Sequence, residues 1–113
     1  MEIMSEEKRE KLVRIAQYYG KDTQLCKTVE ELGEAMSALG EVMQLWMCAE
    51  LGGKDMDLQE RVERMVSELA DVSNMTDQIL YLYDMQDYFE EAKQKGIDKT
   101  IKRIEEEQKC DMG

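Results

Sequence analysis

The feature that most constrains the fold is an apolar row with helical spacing, in a chain that contains no proline. From Leu25 to Trp46, apolar residues recur at alternating steps of four and three, which is typical of one face of an α-helix. A second apolar row, from Ala35 to Ala49, runs beside the first. A helix with two adjacent apolar rows is expected to be central in its domain, with neighbours on two sides. The first row consists of Leu25, Val29, Leu32, Met36, Leu39, Met43 and Trp46.

Capping signals divide the N-terminal half into two predicted helices. Ser5, followed by two glutamates, is a favourable start for the first helix, and Gly20 is a typical stop. Asp22 can cap the second helix, which carries both apolar rows and is predicted to end near residues 51–53.

The C-terminal half carries similar signals, with one alternative left open. Asp57 can cap a third helix, which either continues to Gly96 or breaks between residues 84 and 87. A short last helix is predicted at about residues 98–108, followed by a polar tail that is expected to fray. The sequence therefore predicts one all-α domain spanning residues 1–113, a four-helix-type bundle with two long central antiparallel helices.

Charge and composition exclude several classes of function. Fifteen basic and 26 acidic residues give a net charge of −11; this acidity disfavours nucleic-acid polymers and membrane surfaces as partners. No apolar run approaches the roughly 20 residues of a membrane span, and the N-terminus lacks a signal-peptide pattern, so a cytoplasmic location is expected. Histidine is absent and the three cysteines form no CxxC pair. Histidine-assisted nucleophiles, zinc sites and a disulfide framework are therefore not expected.

Two pairs of carboxylates lie beside the apolar rows of the central helices. Glu31 and Glu34 are three residues apart, as are Glu68 and Asp71, so each pair projects from one helical face. The two pairs lie at similar distances along the chain from the loop near Gly53. In antiparallel helices that rise about 1.5 Å per residue, they arrive at similar heights. Four carboxylates are therefore expected to converge in one partly apolar cleft.

Converging carboxylates repel one another unless they are protonated or a cation neutralises them. With oxygen ligands and no histidine, the expected cation is Mg²⁺, with Mn²⁺ as a substitute. The alternative for a single such pair in an acidic chain is a solvated helical face. Two facing pairs beside apolar rows favour the metal site.

The amino-acid sequences of the two acidic segments resemble the motif of a known family. EELGE at residues 30–34 and ELADVSN at residues 68–74 are similar to the ExxE…ExxD signature of the MazG-like, all-α nucleoside triphosphate pyrophosphohydrolases. The resemblance covers roughly residues 24–83. It implies Mg²⁺-dependent hydrolysis of a nucleoside triphosphate to a monophosphate and pyrophosphate, by a homodimer or homotetramer. The metal ligands that it implies are Glu31, Glu34, Glu68 and Asp71.

The resemblance also suggests roles for neighbouring residues. Lys27 matches a position that is often basic in the family and Asn74 one that is often polar, so both are candidate contacts for the nucleotide substrate. Lys27 is also placed to pair with Glu31 one turn away. Glu34 and Glu31 are the candidates for orienting the attacking water or accepting its proton. Trp46 is expected to pack in the core or at a subunit interface.

A second class of function fits part of the same pattern. A non-catalytic helical module that oligomerises through methionine-rich stripes explains the apolar spacing and the acidity. This hypothesis does not explain why two pairs of acids are placed on facing helices.

Overall fold

The structure, a computed structural model, describes residues 4–50 and 58–112, and three α-helices account for nearly all of them. Helix α1 spans Glu6–Glu50, α2 spans Leu58–Tyr83 and α3 spans Gln86–Met112. The predicted all-α class is confirmed. The predicted interhelical loop and the capping position Asp57 lie outside the described residues.

Helix α1 begins where the sequence predicts and is kinked at the predicted stop. The backbone N–H of Lys8 donates to Ser5 Oγ at 3.2 Å, and two acidic residues follow in the first turn; both features stabilise a helix N-terminus. Gly20 has φ 80° and ψ 175°, outside helical geometry, yet the helix resumes directly after it. Only glycine adopts such dihedral angles readily. Gly20 therefore interrupts α1 without ending it.

The break between α2 and α3 settles the open alternative for the C-terminal half. Asp84 has a positive φ of 54°, and α3 begins two residues later. The prediction that a helix ends at Gly96, with a new one at about residues 98–108, is wrong, and the C-terminal tail is helical to Met112 instead of frayed. A single glycine costs a helix only about 1 kcal/mol relative to alanine. A hydrogen bond of 3.0 Å from Gln94 to Asp98 spans it.

The described residues form three helices, and the kink at Gly20 divides the first of them at the boundary that the sequence predicts between its first two helices. The chain divides into two compact units, Met1–Leu82 and Tyr83–Gly113. The second unit is built on α3, whose apolar residues Ile97, Ile101 and Ile104 are all exposed. Whether the units act as the single domain expected from the sequence stays a prediction. Among the described residues, no helix combines the length and hydropathy that crossing a membrane requires.

In the first unit, α1 and α2 pack as an antiparallel pair, as the sequence predicts. Residues early in α1 contact residues late in α2, and residues late in α1 contact residues early in α2. The side-chain contacts that show this are Gln17 with Tyr81 at 2.8 Å, Gln24 with Gln78 at 2.5 Å and Glu41 with Arg64 at 2.6 Å.

The seam between α1 and α2 buries few side chains completely. Among the described residues, the buried apolar side chains are Ala16, Ala35, Ala38 and Met75. Gln24, Glu31 and Gln78 are buried with them.

The expectation that the row from Leu25 to Trp46 belongs to the core is wrong for the isolated chain. Its members are 40% to 73% exposed. The physical reason is that α1 has only α2 as a neighbour in its unit, and the second row, with Ala35 and Ala38, occupies that contact. Trp46 accordingly lies on the surface, 63% exposed.

Candidate metal centre

Three of the four predicted acids meet across the seam. Glu31 from α1 and Glu68 and Asp71 from α2 each present a carboxylate oxygen, and these oxygens all lie within 4.8 Å of one another. Glu31 is buried, Glu68 is half-buried and Asp71 is exposed. The three residues, called the acid trio below, therefore form a site that is closed on the α1 side and open to solvent on the α2 side.

The helix pairing explains why these acids meet. Gln24 and Gln78 are hydrogen-bonded across the seam. Glu31 follows Gln24 by seven residues, and Asp71 precedes Gln78 by seven residues. Seven residues are about two helical turns, so in an antiparallel pair the two acids return to the same face at the same height.

Two oxygens of the acid trio lack partners. Glu31 Oε2 and Glu68 Oε2 are buried, and neither has a hydrogen-bond partner within the described parts of the chain. Leaving a buried charged acceptor unpaired costs more than about 1–3 kcal/mol. Two unit charges 4.8 Å apart repel by about 3.5 kcal/mol at an effective dielectric constant of 20. A cation removes both penalties at once.

The donor set fits a hard divalent cation. Mg²⁺ takes six oxygen ligands at about 2.0–2.1 Å, which places neighbouring ligand oxygens about 3 Å apart. Oxygens within 4.8 Å of one another reach that spacing through small side-chain adjustments. Three carboxylates without nitrogen or sulfur ligands suit Mg²⁺ or Mn²⁺.

Lys27 supplies a positive charge at the edge of the trio. Its Nζ lies 3.0 Å from Glu31 Oε1 and 3.7 Å from Glu30 Oε2. The hydrogen bond to Glu31, followed by the charge of Glu30, raises the pKa of Lys27. The pairing with Glu31 that the sequence suggests is therefore confirmed, whereas contact with substrate stays a prediction. Glu31 Oε2, on the same carboxylate, remains unpartnered.

Glu34 borders the trio without completing it. It is exposed and is not among the acids whose oxygens all lie within 4.8 Å of one another. Repulsion from Glu31, followed by partial removal from water and by the charge and hydrogen-bonding reach of Glu68, raises the pKa of Glu34. The predicted four-carboxylate cluster is therefore a trio with a neighbouring fourth acid. Asn74, the other predicted substrate contact, is exposed on α2 one turn after Asp71.

Two buried residues of the seam did not enter the sequence prediction. Gln24 and Gln78 are each only 4% exposed. The signal for Gln24 was its position seven residues before Glu31, since such residues lie on the same helical face. Because polar side chains are usually exposed, residue type alone predicts that both glutamines lie on the surface.

Comparisons with protein-family models, with curated proteins and with solved structures found no match to this chain.

Proposed function

We propose that the protein is a Mg²⁺-dependent nucleotide pyrophosphohydrolase, which cleaves a nucleoside triphosphate into a monophosphate and pyrophosphate. The observation that carries the proposal is the unpartnered, buried Glu31 Oε2 beside Glu68 and Asp71. A solvated acidic surface offers no reason to bury such an atom. The resemblance of EELGE and ELADVSN to the MazG-like signature supplies the reaction class.

In this proposal, Glu31, Glu68 and Asp71 hold Mg²⁺ or Mn²⁺. When bound, the cation supplies charge neutralisation for the trio and Lewis-acid polarisation of a phosphoryl oxygen. The three side chains provide a fixed set of oxygen ligands, because two of them project from one face of α2 and the third is buried in the seam.

Glu34 is the proposed general base. A carboxylate whose pKa is raised accepts a proton more readily than an ordinary one, and the pKa of Glu34 is raised by its acidic neighbours. Water oxygen forms the new bond to the α-phosphorus and gives its proton to Glu34. The bond from the α-phosphorus to the bridging oxygen breaks, and pyrophosphate leaves.

Lys27 and Asn74 are proposed substrate contacts. Lys27 is about half exposed beside Glu31, so its ammonium group is within reach of a phosphate oxygen at the rim of the site. Asn74 is exposed on the α2 side, where its amide offers a donor and an acceptor.

The exposed apolar row of α1 supports a homo-oligomer, a homodimer or a homotetramer. The row runs from Leu25 to Trp46 with every member at least 40% exposed, over a length of about 30 Å. An apolar surface of that extent is typical of an interface. The same row favours the second candidate function, a non-catalytic helical interaction module, which requires no metal.

The decisive experiment assays pyrophosphate release from a panel of nucleoside triphosphates, with Mg²⁺ and with a chelator. The variants are Glu31→Gln and Asp71→Asn, with Glu30→Gln as the matched control, since Glu30 is an exposed acid next to Glu31. We expect release by the wild type and the control only with Mg²⁺, and loss of at least a hundredfold in both site variants. Release that survives in both variants would reject the assignment. If the wild type neither releases pyrophosphate nor binds Mn²⁺, the interaction module is favoured.

A further inference from the structure

The exposed apolar row of α1 is large enough for one copy of the chain to bind another. The seven members of the row, together with the neighbouring Met47, are large apolar side chains that are 40% to 73% exposed. At roughly 100 Å² for each half-exposed large side chain, the eight amount to roughly 800 Å² per copy. One partner contributes about that area to a stable interface of standard size.

No charge lies on this face of α1. The charged residues of α1 between residues 25 and 47 are Lys27, Glu30, Glu31, Glu34 and Glu41. At 3.6 residues per turn, all five project from the half of the helix opposite Met36. A partner of opposite charge would find nothing to pair with on this face. A second copy of the chain, although its net charge is −11, brings no like charges together at the contact.

The sizes of the side chains in the row favour an antiparallel pair of α1 helices. The row ends in Met43 and Trp46, whereas Leu25 and Val29 at its beginning are smaller. In an antiparallel pair with a two-fold axis at Met36, Leu25 faces Trp46 of the second copy, and Val29 faces Met43 of the second copy. Each large side chain then meets a smaller one, so the interface is filled evenly. A parallel pair would place the two tryptophans together at one end and force the helices to splay.

Two glycines border the same face. Gly33 and Gly40 are seven residues apart, about two helical turns. Among the described residues, nothing lies within 4 Å of a Cβ added at either position, so packing within the chain does not require glycine there. Glycine weakens a helix relative to alanine, but it lets another backbone approach closely. In the antiparallel pair, Gly33 lies three residues before Met36 and Gly40 four residues after it, so each faces the other across the interface.

We propose that two copies of the chain pair through α1, antiparallel about a two-fold axis at Met36, with Gly33 of each copy against Gly40 of the other. The inference rests on the homo-oligomer of the proposed function and adds the geometry of its interface. The acid trio of each copy stays outside this interface, because Glu31 projects from the half of α1 opposite Met36. Pairing and metal binding are therefore measured separately.

Spin labels test the orientation of the pair. Cys26 is exposed and lies ten residues from Met36, whereas Ser37, also exposed, is adjacent to it. One variant keeps Cys26 as its only cysteine, and the other carries Ser37→Cys alone, with serine at the remaining cysteine positions. Distances between the copies are measured by double electron–electron resonance. In the antiparallel pair, the Cys26 labels are displaced by about 30 Å along the helix axis and the Ser37→Cys labels by about 3 Å.

The glycine contact is tested by Gly33→Ala combined with Gly40→Ala. Alanine favours the helix, so the variant should keep or raise its helicity and thermal stability, while its added methyl groups separate the paired backbones. We expect dimer formation, measured by sedimentation equilibrium, to weaken at least tenfold. The matched control is Gly96→Ala, at a glycine of α3 that likewise has nothing within 4 Å of an added Cβ among the described residues. This control should dimerise like the wild type.

The expected result is a distance at Cys26 that exceeds the distance at Ser37→Cys by more than about 10 Å, together with weaker pairing of the alanine variant. Similar distances at the two labels overturn the proposal, and so does an alanine variant that dimerises as tightly as the wild type. A wild type that is monomeric at every concentration overturns both the proposal and the homo-oligomer. Mn²⁺ binding and pyrophosphate release are measured on the same protein, and their absence rejects the proposed reaction without deciding the pairing.

Discussion

Replacing Glu31 with glutamine should stabilise the metal-free protein and abolish its response to divalent metal. The substitution keeps the size of the side chain, removes one negative charge from the acid trio, and adds an N–H group that can donate to the unpartnered Glu68 Oε2. The substitution is therefore expected to raise the stability of the metal-free protein while it removes the response to metal. At an ordinary buried ion pair, by contrast, removing one of the two charges lowers the stability.

The size of the stabilisation follows from the geometry of the trio. Glu31 faces two carboxylates within 4.8 Å, each repelling it by about 3.5 kcal/mol at an effective dielectric constant of 20. Asp71 is exposed and Glu68 is half-buried, so solvent screening reduces this repulsion well below the sum of the two pairs. Losing the ion pair with Lys27, which is half exposed, offsets up to about 1 kcal/mol. We expect a net gain of roughly 1–3 kcal/mol.

The assay is thermal unfolding with a chelator and with Mn²⁺, followed by circular dichroism. A gain of 1 kcal/mol raises the Tm of a domain of about 100 residues by roughly 4 °C or more. Mn²⁺ at about 100 times its Kd should stabilise the wild type by about 2.7 kcal/mol, whereas Glu31→Gln should show no shift. Glu30→Gln is the control, because Glu30 also pairs with Lys27, at 3.7 Å, but is exposed. A Glu31→Gln variant that is less stable than the wild type without metal, or that keeps the Mn²⁺ shift, would refute the reasoning.

Two further predictions concern the neighbouring acid and the apolar row. The pKa of Glu34 is raised above its ordinary value of 4.5, so at pH values between the ordinary and the raised pKa the folded state binds more protons than the unfolded state. The free energy of unfolding therefore falls as the pH rises from the ordinary pKa through the raised one. In urea unfolding of the metal-free protein at pH 4 to 7, the free energy of unfolding should decrease less with pH for Glu34→Gln than for the wild type. Equal decreases in the two proteins would contradict the prediction. Met36→Glu places a charge on the exposed row of α1, where Met36 is 73% exposed, and should reduce the mass in light scattering to that of the 13.2 kDa chain. Val66→Glu, on α2 and 55% exposed, should leave the mass unchanged, and a monomeric wild type would refute the oligomer.

Helix ends were predictable only where a local interaction determines them. Ser5 caps α1 through a hydrogen bond to a backbone N–H three residues on, so four residues of sequence suffice to recognise it. Gly20 and Gly96 look alike in sequence as stops. Only Gly20 leaves helical geometry, whereas α3 continues through Gly96. Glycine permits a break without requiring one.

The acids of the site were predictable because helical spacing is a property of sequence. Glu68 and Asp71 share a face of α2 at any register. Whether these two acids lie near Glu31 depends on how α1 is placed beside α2. Glu34 is three residues from Glu31, as Asp71 is from Glu68, yet Glu34 lies outside the acid trio. The burial of Gln24 and Gln78 was not foreseen, because a polar side chain carries no apolar signal.

The sequence by itself determined the helical class, the start of α1 at Ser5, the break in helical geometry at Gly20 and the faces on which the acids lie, because these depend on interactions within a few residues. Only the tertiary structure decided that Glu31 is buried, that three acids converge while Glu34 stays outside, and that the row from Leu25 to Trp46 is exposed. These features depend on the rotation and register of one helix against another. Contacts between residues that are distant in the sequence set that placement.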